Sequence, residues 1–224
     1  MIDLLNMDNM DLMAKHDDNY FDLAIVDPPY GAGDFVDFTE DGGVRGNGTK
    51  WEKAREKHED KNWNKKPTNE YFQELLRVSK NQIIWGGNYF DLPPTRGIIC
   101  WDKKQRMGTF SAWEMAWTSF DCVARLFKYD NKGFMCRDGA KIHPTQKPVK
   151  LYEWLLINYA KEGDKILDTH LGSGSIAIAC HNYEFDLVGC EIDKEYYDAM
   201  MTRYNNHIAQ QNLFTDNSPS KVQS

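Results

Sequence analysis

The sequence predicts an α/β fold built on a mostly parallel, doubly wound sheet. Strand-length apolar runs alternate with segments of helical periodicity, which implies strands joined by crossover helices. The runs Phe21–Val26 and Lys165–Asp168 are largely apolar, as expected of strands buried in a sheet covered on both faces. A glycine-containing turn, Gly172-Ser173-Gly174, stands between the second of these strands and a helical segment.

The elements follow in order. Phe21–Val26 is a strand ended by Asp27-Pro28-Pro29-Tyr30, because two successive prolines cannot continue a hydrogen-bond ladder. Residues 31–66 turn to Gly, Asp, Lys, Asn and Trp with weak periodicity, a long excursion of the kind that carries function. Asn69–Val78 is an amphipathic helix with Tyr71, Phe72, Leu75 and Leu76 inward. Gln82–Trp85 is a strand followed by a Gly86-Gly87-Asn88 turn, and Gly97–Trp101 and Ser111–Phe120 are further strands. Leu151–Ala160 is helical, Lys165–Asp168 a strand, Ser175–His181 a helix, Leu187–Cys190 a strand and Lys194–Asn206 a helix. The polar tail from Gln210 to Ser224 is expected to fray, so one domain over residues 1–206 precedes a flexible 207–224.

Composition excludes several classes. With 224 residues, 41% hydrophobic and 13% aromatic, the chain is neither disordered nor collagenous, and no apolar run approaches the roughly 18 residues needed to span a bilayer. The first residues carry acids where a secretory signal needs a basic region, so a cytoplasmic location is expected. Cys100, Cys122, Cys136, Cys180 and Cys190 form no C-x-x-C pair, so neither a disulfide framework nor a zinc site is indicated. The formal charge of −7 is uneven: residues 1–40 carry −9 and 151–224 carry −6, whereas 41–66 carry +3 and 95–150 carry +6. The middle of the chain is therefore able to face a polyanion, although a solvated surface explains the same excess.

Two constellations carry chemistry. In the segment from Lys165 to Ala177, glycines let backbone amides approach a ligand at a helix N-terminus, and Glu191 follows nineteen residues after Gly172 at the end of the next strand. That spacing is that of a nucleoside-type site in which a carboxylate accepts from both ribose hydroxyls; a dinucleotide and S-adenosylmethionine both suit it. A nucleoside triphosphatase is disfavoured, because no Gly-Lys-Ser/Thr follows the glycines. In Asp27-Pro28-Pro29-Tyr30, a carboxylate, the rigidly held Pro28 carbonyl and an aromatic ring fit a flat base with an amino group. The two acceptors would hold the amino hydrogens and free the nitrogen lone pair, while Tyr30 stacks on a base taken out of the duplex. Standing alone, the same four residues are more often a strand-ending Pro-Pro turn with a capping Asp.

Three segments together, Phe21-Asp-Leu-Ala-Ile-Val-Asp-Pro-Pro-Tyr-Gly31, His143-Pro-Thr-Gln-Lys-Pro-Val149 and Leu167-Asp-Thr-His-Leu-Gly-Ser-Gly174, resemble the permuted, beta-group amino-methyltransferases of DNA. The likeness spans about residues 1–206, and Trp85-Gly-Gly-Asn88, Trp101-Asp-Lys103 and Ser111-Ala-Trp-Glu-Met-Ala-Trp117 resemble the intervening strands of that family. The resemblance implies a Rossmann-like, S-adenosylmethionine-dependent methyltransferase fold with circularly permuted motif order. It also implies direct transfer of a methyl group to the exocyclic N6 of adenine in DNA, without a covalent enzyme intermediate. Asp27, Pro28, Pro29 and Tyr30 are then the catalytic set. Asp168, Gly172, Ser173 and Gly174 bind the methionine portion of the cofactor, Glu191 its ribose, and Thr145 and Lys147 close over the methionine end. Asp8 meets the cofactor's adenine or is simply a helix N-cap. His170 stands where relatives usually carry Phe and is taken as a packing substitute.

The resemblance further implies target-recognition insertions at about 31–66 and 103–140, the basic parts of the chain. Arg45, Lys50, Trp51, Lys53, Lys65, Lys66, Lys103, Lys104 and Arg106 are the expected DNA contacts, mixing phosphate partners with stacking surfaces. DNA is the expected partner, with no membrane and no metal; the oligomeric state is open, a homodimer among the possibilities. Asp at the first position of the base motif goes mostly with adenine in relatives and Ser with cytosine, so a cytosine-N4 enzyme is the alternative. From other classes, a nicotinamide-dependent oxidoreductase leaves Asp27–Tyr30 unexplained, and an inactive DNA-binding relative is opposed by the retained Asp27–Tyr30 and Glu191.

Overall fold

The computed structural model of the chain describes residues 1–31, 65–104, 111–130, 142–143 and 145–216, with side chains as far as 210. Eight strands form one sheet: β1 (Ile2–Asn6), β2 (Phe21–Val26), β3 (Ser79–Trp85), β4 (Ile98–Asp102), β5 (Trp113–Thr118), β6 (Arg125–Lys128), β7 (Lys165–Asp168) and β8 (Asp186–Glu191). Their order is β1-β8-β7-β2-β3-β5-β4-β6. Every pairing is parallel except those of β5, which runs against β3 and β4. Among the described residues five α-helices accompany the strands: α1 (Asn9–Met13), α2 (Asn69–Val78), α3 (Val149–Tyr159), α4 (Ser175–Asn182) and, after the last strand, α5 (Lys194–Asp216).

Alternation along the strands divides the core between the two faces. On β2, Leu23 and Ile25 join one buried cluster with Leu151, Leu155 and Ile176, whereas Ala24 and Val26 join another with Phe72 and Leu75. Successive strand side chains point to opposite faces, so a strand apolar at every position needs cover on both. Helices α3 and α4 supply it on one side and α1 and α2 on the other.

The differences from the sequence reading have local causes. Strand β1 was not expected; its five residues carry an acid and acquire strand character by pairing with β8 from Ile2↔Leu187 to Asn6↔Glu191. Strand β6 was missed because it is short and largely exposed, and its strand character comes from its parallel ladder to β4. In α2, Val78 is buried and Leu76 lies 38% exposed, which rotates the inward stripe away from the expected Leu76. Helix α5 continues to Asp216, ten residues beyond its expected end and through part of the expected tail. Among the described residues no helix is long and apolar enough to cross a membrane.

Gly174 opens α4 in the left-handed region at φ 69°, and a Cβ there would overlap the fully buried Met200 of α5. Gly174→Ala is expected to lower unfolding free energy by about 1–3 kcal/mol, through backbone strain and overpacking. Denaturant titration checks it; a midpoint unchanged from the wild type would contradict the geometry.

Candidate active site

Parallel strands deliver their carboxyl ends to one edge of the sheet, where α/β proteins bind ligands. Asp27 follows β2, Asp168 ends β7, Glu191 ends β8, and Met7 and Asp8 follow β1. Because β5 runs the other way, Glu114, its second residue, reaches the same edge. There a cavity of about 510 Å³ is walled by Asp27-Pro28-Pro29-Tyr30, Gly172, Ser173 and Glu191, together with Asp8, Lys65, Lys66, Thr145 and Lys147. The base motif and the glycine turn therefore share one chamber, of a size usual for small-molecule sites.

At the base motif, the Tyr30 hydroxyl donates to Asp27 Oδ1 at 2.7 Å, and Lys147 Nζ donates to Asp27 Oδ2. The Tyr30 ring leans on Tyr89 at 5.0 Å and packs over Gly86, where a Cβ would overlap it. Burial, and after it the Asp27 and Glu114 carboxylates, hold the Tyr30 phenol well above its ordinary pKa, so it stays a donor.

The other end is built on Glu191. The Gly172 and Asp193 amides donate to its two oxygens at 2.9 Å each, fixing the carboxylate at the cavity wall. Burial raises its pKa against the opposing pull of those amides. The His143 ring lies 3.6 Å from where a Cβ on Gly172 would stand, an ordinary contact distance, so it is the left-handed backbone at φ 49° that favours glycine here. Thr145 Oγ1 is 3.1 Å from His143 Nδ1, and Ser173 lines the wall beside them.

Four of the expected site residues have contacts that the sequence does not show. Asp8 caps α1, its Oδ1 accepting from Met10 N at 2.7 Å and more distantly from Asp11 N, and it also lines the cavity. Asp168 and Gly174 do not reach the cavity wall. Asp168 is 1% exposed beneath the turn, accepting from His170 N at 2.9 Å, while Gly174 N donates to Leu171 O; both shape the turn from behind. Lys103, expected on DNA, is drawn inward, its ammonium bound to Glu114 and 5.2 Å from the Trp101 ring. Lys65, Lys66 and Lys104 are exposed, the first two at the cavity rim. Arg45, Lys50, Trp51, Lys53 and Arg106 lie outside the described residues.

Other residues enter the site unannounced. Asn9 Nδ2 meets His170 Nε2 at 3.1 Å, His170 Nδ1 meets Thr169 Oγ1 at 2.9 Å, and Thr169 Oγ1 meets the Tyr71 hydroxyl at 2.7 Å. Burial pulls the His170 pKa down to about 3, so it is a neutral polar wall rather than an acid or cation. Glu114 and Tyr152 also line the cavity. For Glu114 the available signal was an acid alone among apolar residues in Trp113–Thr118. Among the described residues no group of His, Cys, Asp and Glu is arranged to hold a metal.

Burial, with the nearby Asp27 and Glu191 charges, raises the Asp168 pKa to about 8, although the His170 amide opposes it. A carboxyl raised in the folded state stabilises below its unfolded pKa, and that contribution is lost as pH climbs through about 8. Asp168→Asn is therefore expected to gain stability relative to the wild type between pH 5 and pH 9, by at least about 1 kcal/mol. Thermal melts of the ligand-free protein at the two pH values check it; an equal difference at both would place the titration elsewhere.

Comparison with known proteins agrees with this geometry. A family model of DNA methylases (N6_N4_Mtase) matches residues 47–202. The Type II methyltransferase M2.DpnII of Streptococcus pneumoniae is 25% identical over 86% of this chain and 85% of its own length. The Type II methyltransferase M.HpaI of Haemophilus parainfluenzae is 37% identical over 73 residues, 33% of this chain and only 23% of that protein. Among solved structures, the M1.HpyAVI–SAM complex superposes with a TM-score of 0.55 at 19% identity, over 91% of this chain and 100% of that one. The cytosine-N4-specific PvuII DNA methyltransferase superposes at 0.59 and 14% identity, over 96% and 91%. The architecture is thus the Rossmann-like methyltransferase fold expected from the motifs, and the chain belongs to the N6/N4 DNA methylase family.

Proposed function

We propose that this chain is a DNA methyltransferase that moves a methyl group from S-adenosylmethionine to the exocyclic N6 of an adenine extruded from DNA. The carrying observation is that Asp27-Pro28-Pro29-Tyr30 opens into the same cavity as Gly172, Ser173 and Glu191. The cavity suits a cationic nucleoside: the Glu191 and Asp27 carboxylates stand on its wall. S-Adenosylmethionine, when bound, supplies an electrophilic methyl on a cationic sulfonium.

The chain's own residues do the rest. Glu191, fixed by two amides, retains lone pairs to accept from ribose hydroxyls. Gly172, Ser173 and Thr145 border the methionine end, and neutral His170 with Asn9 forms a polar wall beside Asp8. Asp27 and the Pro28 carbonyl accept the two amino hydrogens, which localises the lone pair of an otherwise delocalised nitrogen. Each Asp27 oxygen already accepts one donor and keeps a second lone pair for this. After transfer the surplus proton leaves the nitrogen through Asp27 to water, so no nucleophilic cysteine is needed.

Adenine is preferred to cytosine because Asp, not Ser, heads the base motif. Lys65, Lys66 and Lys104, with the sequence-predicted Arg45, Lys50, Trp51, Lys53 and Arg106, supply phosphate and stacking contacts, an electrostatic binding weakened by salt. The likeness to Type II methyltransferases supports DNA modification as the task.

The test is incubation with tritiated-methyl S-adenosylmethionine and unmethylated bacterial DNA, followed by digestion to nucleosides. Label is expected in N6-methyladenosine, falling at least about 100-fold in Asp27→Ala. Label in N4-methylcytosine would keep the mechanism and overturn the base; absence of label with cofactor bound would favour an inactive relative.

A further inference from the structure

The family likeness places Lys147 over the methionine end of the cofactor, and its ammonium is bound to two carboxylates at the cavity. The Lys147 side chain is 3% exposed and bridges two carboxylates, Asp27 Oδ2 and Glu114 Oε2, the second an ion-pair contact of 3.2 Å. Its third side faces the Trp85 ring at 5.2 Å. Glu114 in turn binds Lys103, which rests on Trp101, and the two tryptophans meet edge to face at 6.5 Å. The result is a row of alternating charge, Lys103, Glu114, Lys147 and Asp27, on an aromatic floor, with Lys147 buried and the other three half-buried.

Burying an ammonium costs several kcal/mol unless it is paired. Asp27 alone would neutralise Lys147, and that simple pair would blunt Asp27 as an acceptor. Glu114 takes a share of the Lys147 charge, and Lys103 balances Glu114, so Asp27 is held in place yet keeps acceptor strength. Burial opposes the Lys147 charge and is outweighed by the two carboxylates. Glu114 is likewise held below the ordinary range: burial pushes it up, and Lys147 and Lys103 prevail. The Lys147 backbone is pinned separately, its carbonyl accepting from Ser175 Oγ at 2.7 Å at the head of α4.

We propose that Lys147 and Glu114 are positioning residues of the base site, orienting the Asp27 carboxylate as an acceptor for the target amino group. Lys147 therefore serves the chemical step rather than cofactor affinity. This rests on the reading of Asp27 as the amino-group acceptor given above.

The test compares wild type, Lys147→Met, Lys147→Arg and Glu114→Gln in single-turnover methylation and in S-adenosylmethionine binding by calorimetry. Glu114→Gln and Lys147→Met are expected to slow transfer at least about tenfold with the cofactor Kd within about threefold, and Lys147→Arg to recover part of the rate. A Kd weakened tenfold or more with the saturated rate unchanged would make Lys147 a cofactor ligand and overturn the proposal. Wild-type rates in both variants would also overturn it, leaving the row a packing feature. Should Lys147→Met fail to fold, the near-isosteric Glu114→Gln carries the same comparison. A wild-type chain that binds cofactor and labels no base overturns this proposal together with the reading beneath it, whereas labelled cytosine overturns only the choice of adenine.

Discussion

Parallel strand pairing is the constraint on which the site depends. The registers Leu23↔Ile166 and Ala24↔Leu167 set β2 beside β7, and Ile166↔Leu187 sets β7 beside β8. Three carboxylates from distant parts of the chain, Asp27, Asp168 and Glu191, thereby reach one edge. A one-residue slip in any of these ladders would turn each following side chain to the opposite face. The antiparallel course of β5 adds Glu114, since the start of a reversed strand lies where its neighbours end.

Gathering carboxylates at one edge creates an electrostatic problem that the protein solves differently at each position. Asp168, fully enclosed, lies far above the ordinary range and is not an anion at neutral pH. Glu191 receives two backbone amides, and Asp27 receives a phenol and an ammonium. A ligand carrying positive charge suits such a wall, in line with a cationic methyl donor. The neutral His170 continues it without adding charge.

The hydrogen-bonded chain from Asn9 through His170 and Thr169 to Tyr71 ties the first helix, the turn after β7 and α2 together at the cavity. Its members come from three separate segments, so an alteration at one affects the seating of the others. His170 is thus more than a filler for an apolar position: both ring nitrogens are engaged.

Features written in contiguous residues were legible in the sequence. Asp27-Pro28-Pro29-Tyr30 ends a strand because proline lacks a donor, Gly172 and Gly174 adopt positive φ between strand and helix, and Glu191 closes the next strand. The covered, mainly parallel sheet followed from apolar runs and their alternation with helices. Strands β1 and β6 were not legible, since neither has a pattern of its own and both exist by pairing with a neighbour. The partners of charged side chains were hidden as well. Nothing in the sequence shows that Lys103 meets Glu114, or that Lys147 meets Asp27 across 120 positions of chain. Sequence by itself thus determined the chemical groups and the local backbone that presents them. Tertiary structure decided which charges face one another, because strand register and burial, not sequence proximity, select the partner of a buried ion.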